Sequence, residues 1–437
     1  MSELAVLGGD PSIRVPRDDL FEWPILGREE EEAVLRTMRK PSYLDFETVP
    51  AFEKELTDWL GVEHVITESS GTHAVLGAMF ACGVGAGDEV IVPTSTYWAT
   101  CVQAFTLRAS VVFADIDPLT MNIDPADVKR KITDRTKAIV VVHLLGYPVD
   151  MDAICAIARR HGVKVIEDAS HAHGSLYKGR KVGTLGDIAA FSMCGKPLSI
   201  GEGGMIATND TALHDRALAW GHNFRFHPGE VRDPDLLRFA GLPLGGVTSR
   251  MHNLSAAIGR EQLRRFDERV EEIDAAMNLF WDLLEDVPGL VAHRPPRGSG
   301  STMGGWYNPH GVYQPEKFNG LSVSRFVEAV RAEGFYAATR ICIREPLHTH
   351  ELFHSADVYR EGRPTNRHAS GNPPQRRGDL PVAESVKAFT VPPFRRYDKA
   401  VIEEYAAMFR KVAEHHKELI EGDRGDGSVV LDERGNG

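Results

Sequence analysis

The chain has 437 residues, of which 42% are hydrophobic and 26% charged, and carries a formal net charge of −12. That size and balance suit an ordinary soluble protein of two or three packed domains. They argue against nucleic acid as a partner, which needs a basic footprint. No apolar run is long enough for a transmembrane helix, and "MSELAVLGGDPSIRVP" lacks the basic head and apolar core of a secretory signal.

Residues 1–27 are punctuated by Pro and Gly and read as an extended N-terminal arm. "REEEEAVLRTMRK" (28–40) predicts a helix, with acids first and bases last to suit its dipole. A second helix follows at 50–61. Strands and helices then alternate. Strands are expected at 64–69, 88–93, 110–117, 137–146, 163–170, 188–193 and 203–209, with helices at 71–84, 97–109 and 151–162. Continuous apolar strands separated by helices predict a mainly parallel central sheet covered on both faces, an α/β fold. Residues 28–265 form the expected large domain. One long helix or two in succession (254–286) leads into a smaller C-terminal α/β domain, 266–420, with helices at 322–334 and 399–420. Residues 355–380, rich in Pro, Gly and charge, read as a long loop, flexible or ordered by a ligand or partner. Residues 421–437 read as a disordered tail.

The five cysteines (Cys82, Cys101, Cys155, Cys194, Cys342) are scattered and form no C-x-x-C pair. Neither a disulfide framework nor a metal site is expected, and the reading is a reducing, cytoplasmic compartment.

Ligands of α/β sheets collect beyond the carboxyl ends of the strands. After the first strand stands "SSGTHAV" (69–75). Its turn, with Ser70, Gly71 and Thr72, is a cup for an anion or phosphate; it is equally a plain helix cap. Asp168 ends an apolar strand, where a carboxylate needs a partner such as a nitrogen cation, or caps the next turn. His171 follows three residues on. "FSMCGKPLSIGEGGM" (191–205) surrounds Lys196 with glycines, and a lysine of depressed pKa forms a Schiff base with an aldehyde. Each feature alone has a bland reading. Together they are the three anchors of pyridoxal 5′-phosphate: a phosphate cup, a partner for the ring nitrogen and a lysine for the aldehyde carbon. "PTSTYWAT" (93–100) offers Tyr97, or second Trp98, to flank the ring.

The motifs "SSGTHAV", "GAGDEVIVPTSTYWAT", "FADIDPLTMNID", "VIEDASHAHGSLYKGRKVGTLGD", "GKPLSIGEGG" and "SRMHNLSAAIGREQL" stand in this order along the chain. In them the sequence resembles the DegT-type sugar aminotransferases, a branch of the fold-type I pyridoxal-phosphate enzymes. "LAVLGGDPSIRVP…WP" (4–24) and "DASHAHG" lean toward the glutamine:inosose aminotransferase and 3-amino-5-hydroxybenzoate synthase branch. The resemblance implies that Lys196 carries the cofactor as a Schiff base and shuttles protons. It implies that Asp168 pairs with the pyridine nitrogen and His171 lies near the ring oxygen. Ser70, Gly71, Thr72 and Ser192 would hold the phosphate, and Tyr97 would stack on the ring. It further implies a homodimer with shared active sites, an amino donor such as L-glutamine or L-glutamate, and a keto-sugar or keto-cyclitol acceptor.

Three departures stand out. The Ser192–Lys196 interval is one residue shorter than usual in the family. Thr248 replaces an asparagine expected to reach the partner's phosphate site. The 355–380 loop is long. Other chemistry on the same cofactor (dehydratase, aldol or decarboxylation type) and a non-catalytic regulatory relative are the rival readings. Arg225, Arg250, Arg340 and Arg344 are candidates for binding a carboxylate or phosphate, and His348 and His350 for the substrate side.

Overall fold

The computed structural model describes residues 3–40, 47–338, 340–341, 345–367 and 373–426. The first half runs α1 (Arg28–Met38), α2 (Thr48–Leu60), β1 (His64–Glu68), α3 (Gly71–Ala81), β2 (Glu89–Pro93), α4 (Ala99–Thr106), β3 (Ser110–Ala114), α5 (Pro125–Lys131), β4 (Thr136–Val142), α6 (Met151–His161) and β5 (Lys164–Asp168). A short hairpin, β6 (Leu176–Tyr177) and β7 (Arg180–Lys181), precedes β8 (Ile188–Ser192) and β9 (Gly204–Thr208). Then come α7 (Thr211–Gly221), α8 (Pro234–Leu237), α9 (Asn253–Arg264) and α10 (Phe266–Asp282). The last part holds β10 (Leu290–Ala292), β11 (His310–Tyr313), α11 (Val323–Ala332), β12 (Arg340–Ile341), α12 (Pro381–Ser385), β13 (Ala388–Thr390), α13 (Lys399–Glu414) and α14 (His416–Leu419).

Local chemistry sets these bounds. Asp124, Asp150 and Asp210 accept from the first free N–H groups of α5, α6 and α7. Gly61 and Gly162, at φ 74° and 68°, close α2 and α6 in the left-handed conformation.

Seven strands form the central sheet in the order β1-β9-β8-β5-β4-β2-β3. β9 is antiparallel to both of its neighbours, and the remaining pairings are parallel. Alternate residues face two different clusters: Ile91, Ile139 and Val165 enter one, while Val90, Val140 and Ile166 enter the other. Burial on both faces explains the uninterrupted apolar strands.

The second unit is the antiparallel sheet β10-β11-β13-β12, sharing a cluster with Phe280, Trp281, Phe326, Phe389 and Phe409. The 254–286 segment is two helices broken at Arg265, and the core changes there. Phe266 belongs to a cluster of the large sheet, and Ile273 onward to that of the small one.

Several expectations are revised. The N-terminal arm is not simply extended. It forms two single-turn helices, and Leu4, Ile13 and Leu20 are buried in the small unit's core. The strand expected to reach residue 146 ends at Val142. There Leu145 turns to φ 57°, and the His143 ring takes the Val149 N–H at 3.0 Å. The helix expected at 97–109 begins only at Ala99.

The long loop is held along the outer edge of β3, and side-chain amides replace a missing strand there. Asn366 accepts from Val111 N–H at 2.8 Å and Gln375 from Phe113 N–H at 3.0 Å. Tyr359 lies under the Arg108 guanidinium, 3.6 Å away. In the presumed tail, Asp423 accepts from Ser322 N–H at 2.8 Å and Asp426 from Ser324 N–H at 2.9 Å, which fixes residues 421–426 against α11. Residues 368–372 of the loop and 427–437 of the tail lie outside the described residues, as do Cys342 and Arg344 and the side chain of Arg340. Among the described residues no helix is long and apolar enough to cross a membrane.

Candidate active site

Four segments meet at one end of the central sheet: Ser69–Thr72 after β1, Thr94–Thr100 after β2, Asp168–His171 after β5 and Ser192–Lys196 from β8. β9 brings the first and last of these together. Its Gly204 pairs with Glu68 on one side and Ser192 on the other. A Cβ on Gly204 would lie 2.7 Å from Gly71 N, so only glycine lets the start of α3 approach. A Cβ on Gly71 would in turn stand 2.7 Å from the Ser192 Cα. Two glycines therefore let Ser192 sit against the amino end of α3.

That end has the features of an anion cup. Ser70 is the N-cap, and its hydroxyl accepts from His73 N–H at 3.2 Å. The N–H groups of Gly71 and Thr72 have no intrahelical acceptor, and the helix dipole is positive there. Ser192 N–H donates to Ser170 Oγ at 3.0 Å, which ties the cup to the turn after Asp168. The short Ser192–Lys196 interval thus leaves the serine beside the cup.

Asp168 is buried. Its Oδ2 accepts from Thr100 Oγ1 at 2.7 Å and its Oδ1 from Ser170 N–H at 3.2 Å. Both bonds orient the carboxyl group, and a buried carboxyl group at a strand end is suited to a cationic ring nitrogen. Behind it Glu167 and His143 form a fully buried pair at 3.0 Å, and Glu167 also accepts from the N–H groups of Gly183, Leu185 and Gly186. His171 Nδ1 accepts from Leu145 N–H at 3.3 Å. Burial, reinforced by the Lys196 charge, pushes the His171 pKa well below the usual histidine range, so the ring is neutral.

Lys196 is held at both ends. Its carbonyl accepts from Trp23 Nε1–H at 2.9 Å, and its Nζ donates to the Tyr307 hydroxyl at 2.9 Å. The Tyr307 ring stacks on His171 with centroids 4.4 Å apart. Tyr97 and Trp98 stand together at the open side, both roughly two-fifths exposed. Thr248 is exposed and precedes Ser249, whose carbonyl accepts from Ser69 N–H at 2.5 Å, next to the cup.

The remaining candidates are otherwise engaged. Arg225 is paired with Glu53 at 2.9 Å and Glu230 at 2.7 Å, and the Arg250 guanidinium lies over Phe224. His348 is fully buried between Thr94 Oγ1 at 2.8 Å and Glu384 at 3.0 Å, while His350 caps a short turn. Among the described residues no group of three or more His, Cys, Asp or Glu is arranged to hold a metal. Sequence reasoning passed over Thr100, Trp23 and Tyr307. Of these, Thr100, two residues beyond the aromatic pair, and Trp23, in the "WP" that ends the opening motif, lie within motifs already singled out, while Tyr307 does not.

A cup at a helix start, a buried carboxylate and a lysine, placed at one end of a mainly parallel sheet, match the three anchors of pyridoxal 5′-phosphate. The residues present fit that group: Gly71 and Gly204 clear space beside Ser192, and Asp168 is held in place by Thr100 and Ser170. The arrangement is that of a pyridoxal-phosphate-dependent transferase.

The chain belongs to the DegT/DnrJ/EryC1/StrS aminotransferase family, which it matches over residues 24–374. It is 33% identical over 416 residues to the L-glutamine:2-deoxy-scyllo-inosose aminotransferase of Streptoalloteichus tenebrarius, covering 91% of this chain and 95% of that one. It is 46% identical over 220 residues to the GDP-perosamine synthase of Caulobacter vibrioides, a match that spans 50% of this chain and only 57% of that protein. Its fold resembles 3-amino-5-hydroxybenzoic acid synthase with a TM-score of 0.72 and 25% identity, over 93% of this chain and 100% of that one. It is an aminotransferase, and its cofactor is pyridoxal 5′-phosphate.

Proposed function

We propose that this chain moves the amino group of L-glutamine or L-glutamate onto a keto-cyclitol or keto-sugar, in amino-sugar or antibiotic-type secondary metabolism. The observation that carries the reading is the joining of Ser70–Thr72, Asp168 and Lys196 around one opening. The acceptor class follows the relatives, since the match to the inosose enzyme runs nearly the full length of both chains.

When bound, pyridoxal phosphate supplies an electrophilic carbon for the amino nitrogen and a pyridinium that accepts an electron pair. The protein's residues do the rest. The first N–H groups of α3, with Ser70, Thr72 and Ser192, hold the phosphate. Asp168, fixed by Thr100 and Ser170 N–H, keeps the proton on the ring nitrogen. Lys196 Nζ takes the proton from the donor's α-carbon, returns it on the cofactor side, and repeats both moves in reverse for the acceptor. Neutral His171 offers hydrogen bonding near the ring oxygen without adding charge. Tyr97, with Trp98 as second choice, covers the ring.

In this reading the protein is a cytoplasmic homodimer, and a second copy closes the open side where Tyr97, Trp98 and Thr248 are exposed. The test is amino-¹⁵N-labelled glutamine with a panel of inososes, keto-cyclitols and nucleotide-linked keto-sugars, read by mass. The expected result is a labelled amine formed one-for-one with 2-oxo acid. Carbon dioxide release or carbon–carbon cleavage without a labelled amine would point instead to the decarboxylase or aldol reading.

A further inference from the structure

We propose that Tyr307 is a positioning residue for Lys196: its hydroxyl holds the ε-nitrogen toward the cofactor opening, beside His171. The inference rests on the reading of Lys196 as the cofactor lysine.

Four observations carry it. The Lys196 Nζ–Tyr307 Oη distance is 2.9 Å, and the nitrogen also lies 4.1 Å from the centre of the Tyr307 ring. That ring is also stacked on His171. The backbone around it is held in an uncommon form: Trp306 and Asn308 have φ of 46° and 45°, and Gly304 has φ 54°. Non-glycine residues at positive φ persist only where their surroundings hold them, and they cluster at functional sites.

The surroundings do hold them. Trp306 is buried and donates to Asp274 Oδ1 at 2.8 Å. The buried Arg395 donates from Nη1 to Gly305 O at 2.7 Å and to Trp306 O at 3.3 Å. A Cβ on Gly305 would stand 3.1 Å from Pro197 Cγ, so the tyrosine loop lies directly on the lysine loop. On the far side, Trp23 of the N-terminal arm holds the Lys196 carbonyl, and its ring lies 5.5 Å from the Arg395 guanidinium. One clamp built from the arm and the small unit therefore grips Lys196 at its backbone and at its nitrogen. A free lysine side chain has four rotatable bonds, and a fixed hydroxyl removes much of that freedom before the proton moves.

The titratable and charged groups facing this pair are His171 and His173 after β5, His310 on β11, Arg395 after β13, and Cys194 on the lysine loop. The three histidines are held neutral by burial, so none places a second positive charge beside Nζ. The hydroxyl accepts from Nζ. Its loss frees the nitrogen to take other rotamers.

The experiment uses the full-length, cofactor-loaded protein and the variants Tyr307→Phe, which keeps the ring and removes the hydroxyl, and Tyr307→Leu, which removes both. Absorbance of the lysine-bound cofactor is titrated against pH, and a single turnover with glutamine is followed by stopped flow. Both variants are expected to move the pH midpoint of the lysine-bound cofactor away from the parent's and to lose roughly tenfold or more in the single-turnover rate. Parental midpoint and rate in Tyr307→Phe would overturn the proposal. So would a shift seen with Leu alone, which would assign the effect to the ring. A parent protein that loads no cofactor on Lys196 would remove the functional reading itself, and the proposal with it.

Discussion

Gly71 and Ser192 lie so close that a Cβ on the glycine would stand 2.7 Å from the serine Cα. The contact joins the start of α3 to the end of β8, and in the proposed function it makes one phosphate cup from residues 121 positions apart in the chain. Gly71→Ala must push the two apart. We expect about 1–3 kcal/mol of lost stability in urea denaturation, as for other overpacked sites. The cofactor should also dissociate more readily on dialysis. Unchanged cofactor retention would mean that Ser192 is not part of the cup.

Thr100 and Asp168 give a second prediction. The threonine hydroxyl is one of two donors to a buried carboxylate, at 2.7 Å. Hydrogen bonds to charged groups contribute about 1.5–3 kcal/mol. Thr100→Val should let the carboxylate turn away and slow the glutamine half-reaction by about tenfold, with little change in fold. Asp168→Asn, which removes the charge, should cost at least about a hundredfold. A valine variant with parental kinetics would show that Ser170 N–H orients Asp168 unaided.

Acid should destabilise the protein through its buried histidines. Burial, reinforced by Lys196, pushes His173 down to about 3; burial, reinforced by His293, does the same for His310. In the unfolded chain both titrate near 6.5. Between these values the unfolded state binds more protons, so the stability present above about pH 6.5 is lost as pH falls toward the folded pKa. At pH 5 the loss is about 2 kcal/mol per histidine, and it depends only on the folded value lying well below 5. His173 is also wedged against the Phe191 and Phe266 rings, with both ring nitrogens unpaired. His173→Phe should therefore flatten the fall in Tm between pH 7 and 5. An identical slope would show that His173 does not contribute.

The edge of β3 yields a fourth prediction. Asn366 and Gln375 occupy backbone groups of Val111 and Phe113 that would otherwise face a free strand edge. An uncovered edge is a template for pairing with another chain. The double change Asn366→Leu and Gln375→Leu should raise light scattering on mild heating, while the first turnover remains near parental. Scattering equal to the parent's would mean that the rest of the loop covers the edge.

The parts of the site that follow strand ends were legible in the sequence, because the parallel order places every such turn at one edge. Ser70–Thr72, Asp168 and Lys196 each sit just beyond an apolar run, and their order matched a known family. The contacts made by returning chain were not legible. Tyr307 lies 111 residues beyond Lys196 and Trp23 lies 173 before it, with no periodic pattern linking them. "GGWYNP" (304–309) carries turn signals in its Gly-Gly and Asn-Pro pairs, but nothing in them says that the turn returns to Lys196 or sets Trp306 at positive φ. The 355–380 segment read as a long loop with no sign of what orders it, because its partners for β3 are side-chain amides, which leave no strand pattern.

The central claim is that Lys196 carries the cofactor. Reducing the cofactor-loaded protein with borohydride and mapping the modified peptide by mass tests it directly. The account predicts one phosphopyridoxyl group on Lys196 and no stable adduct in Lys196→Ala. A modification on another lysine, or the same adduct yield in the alanine variant, would contradict it.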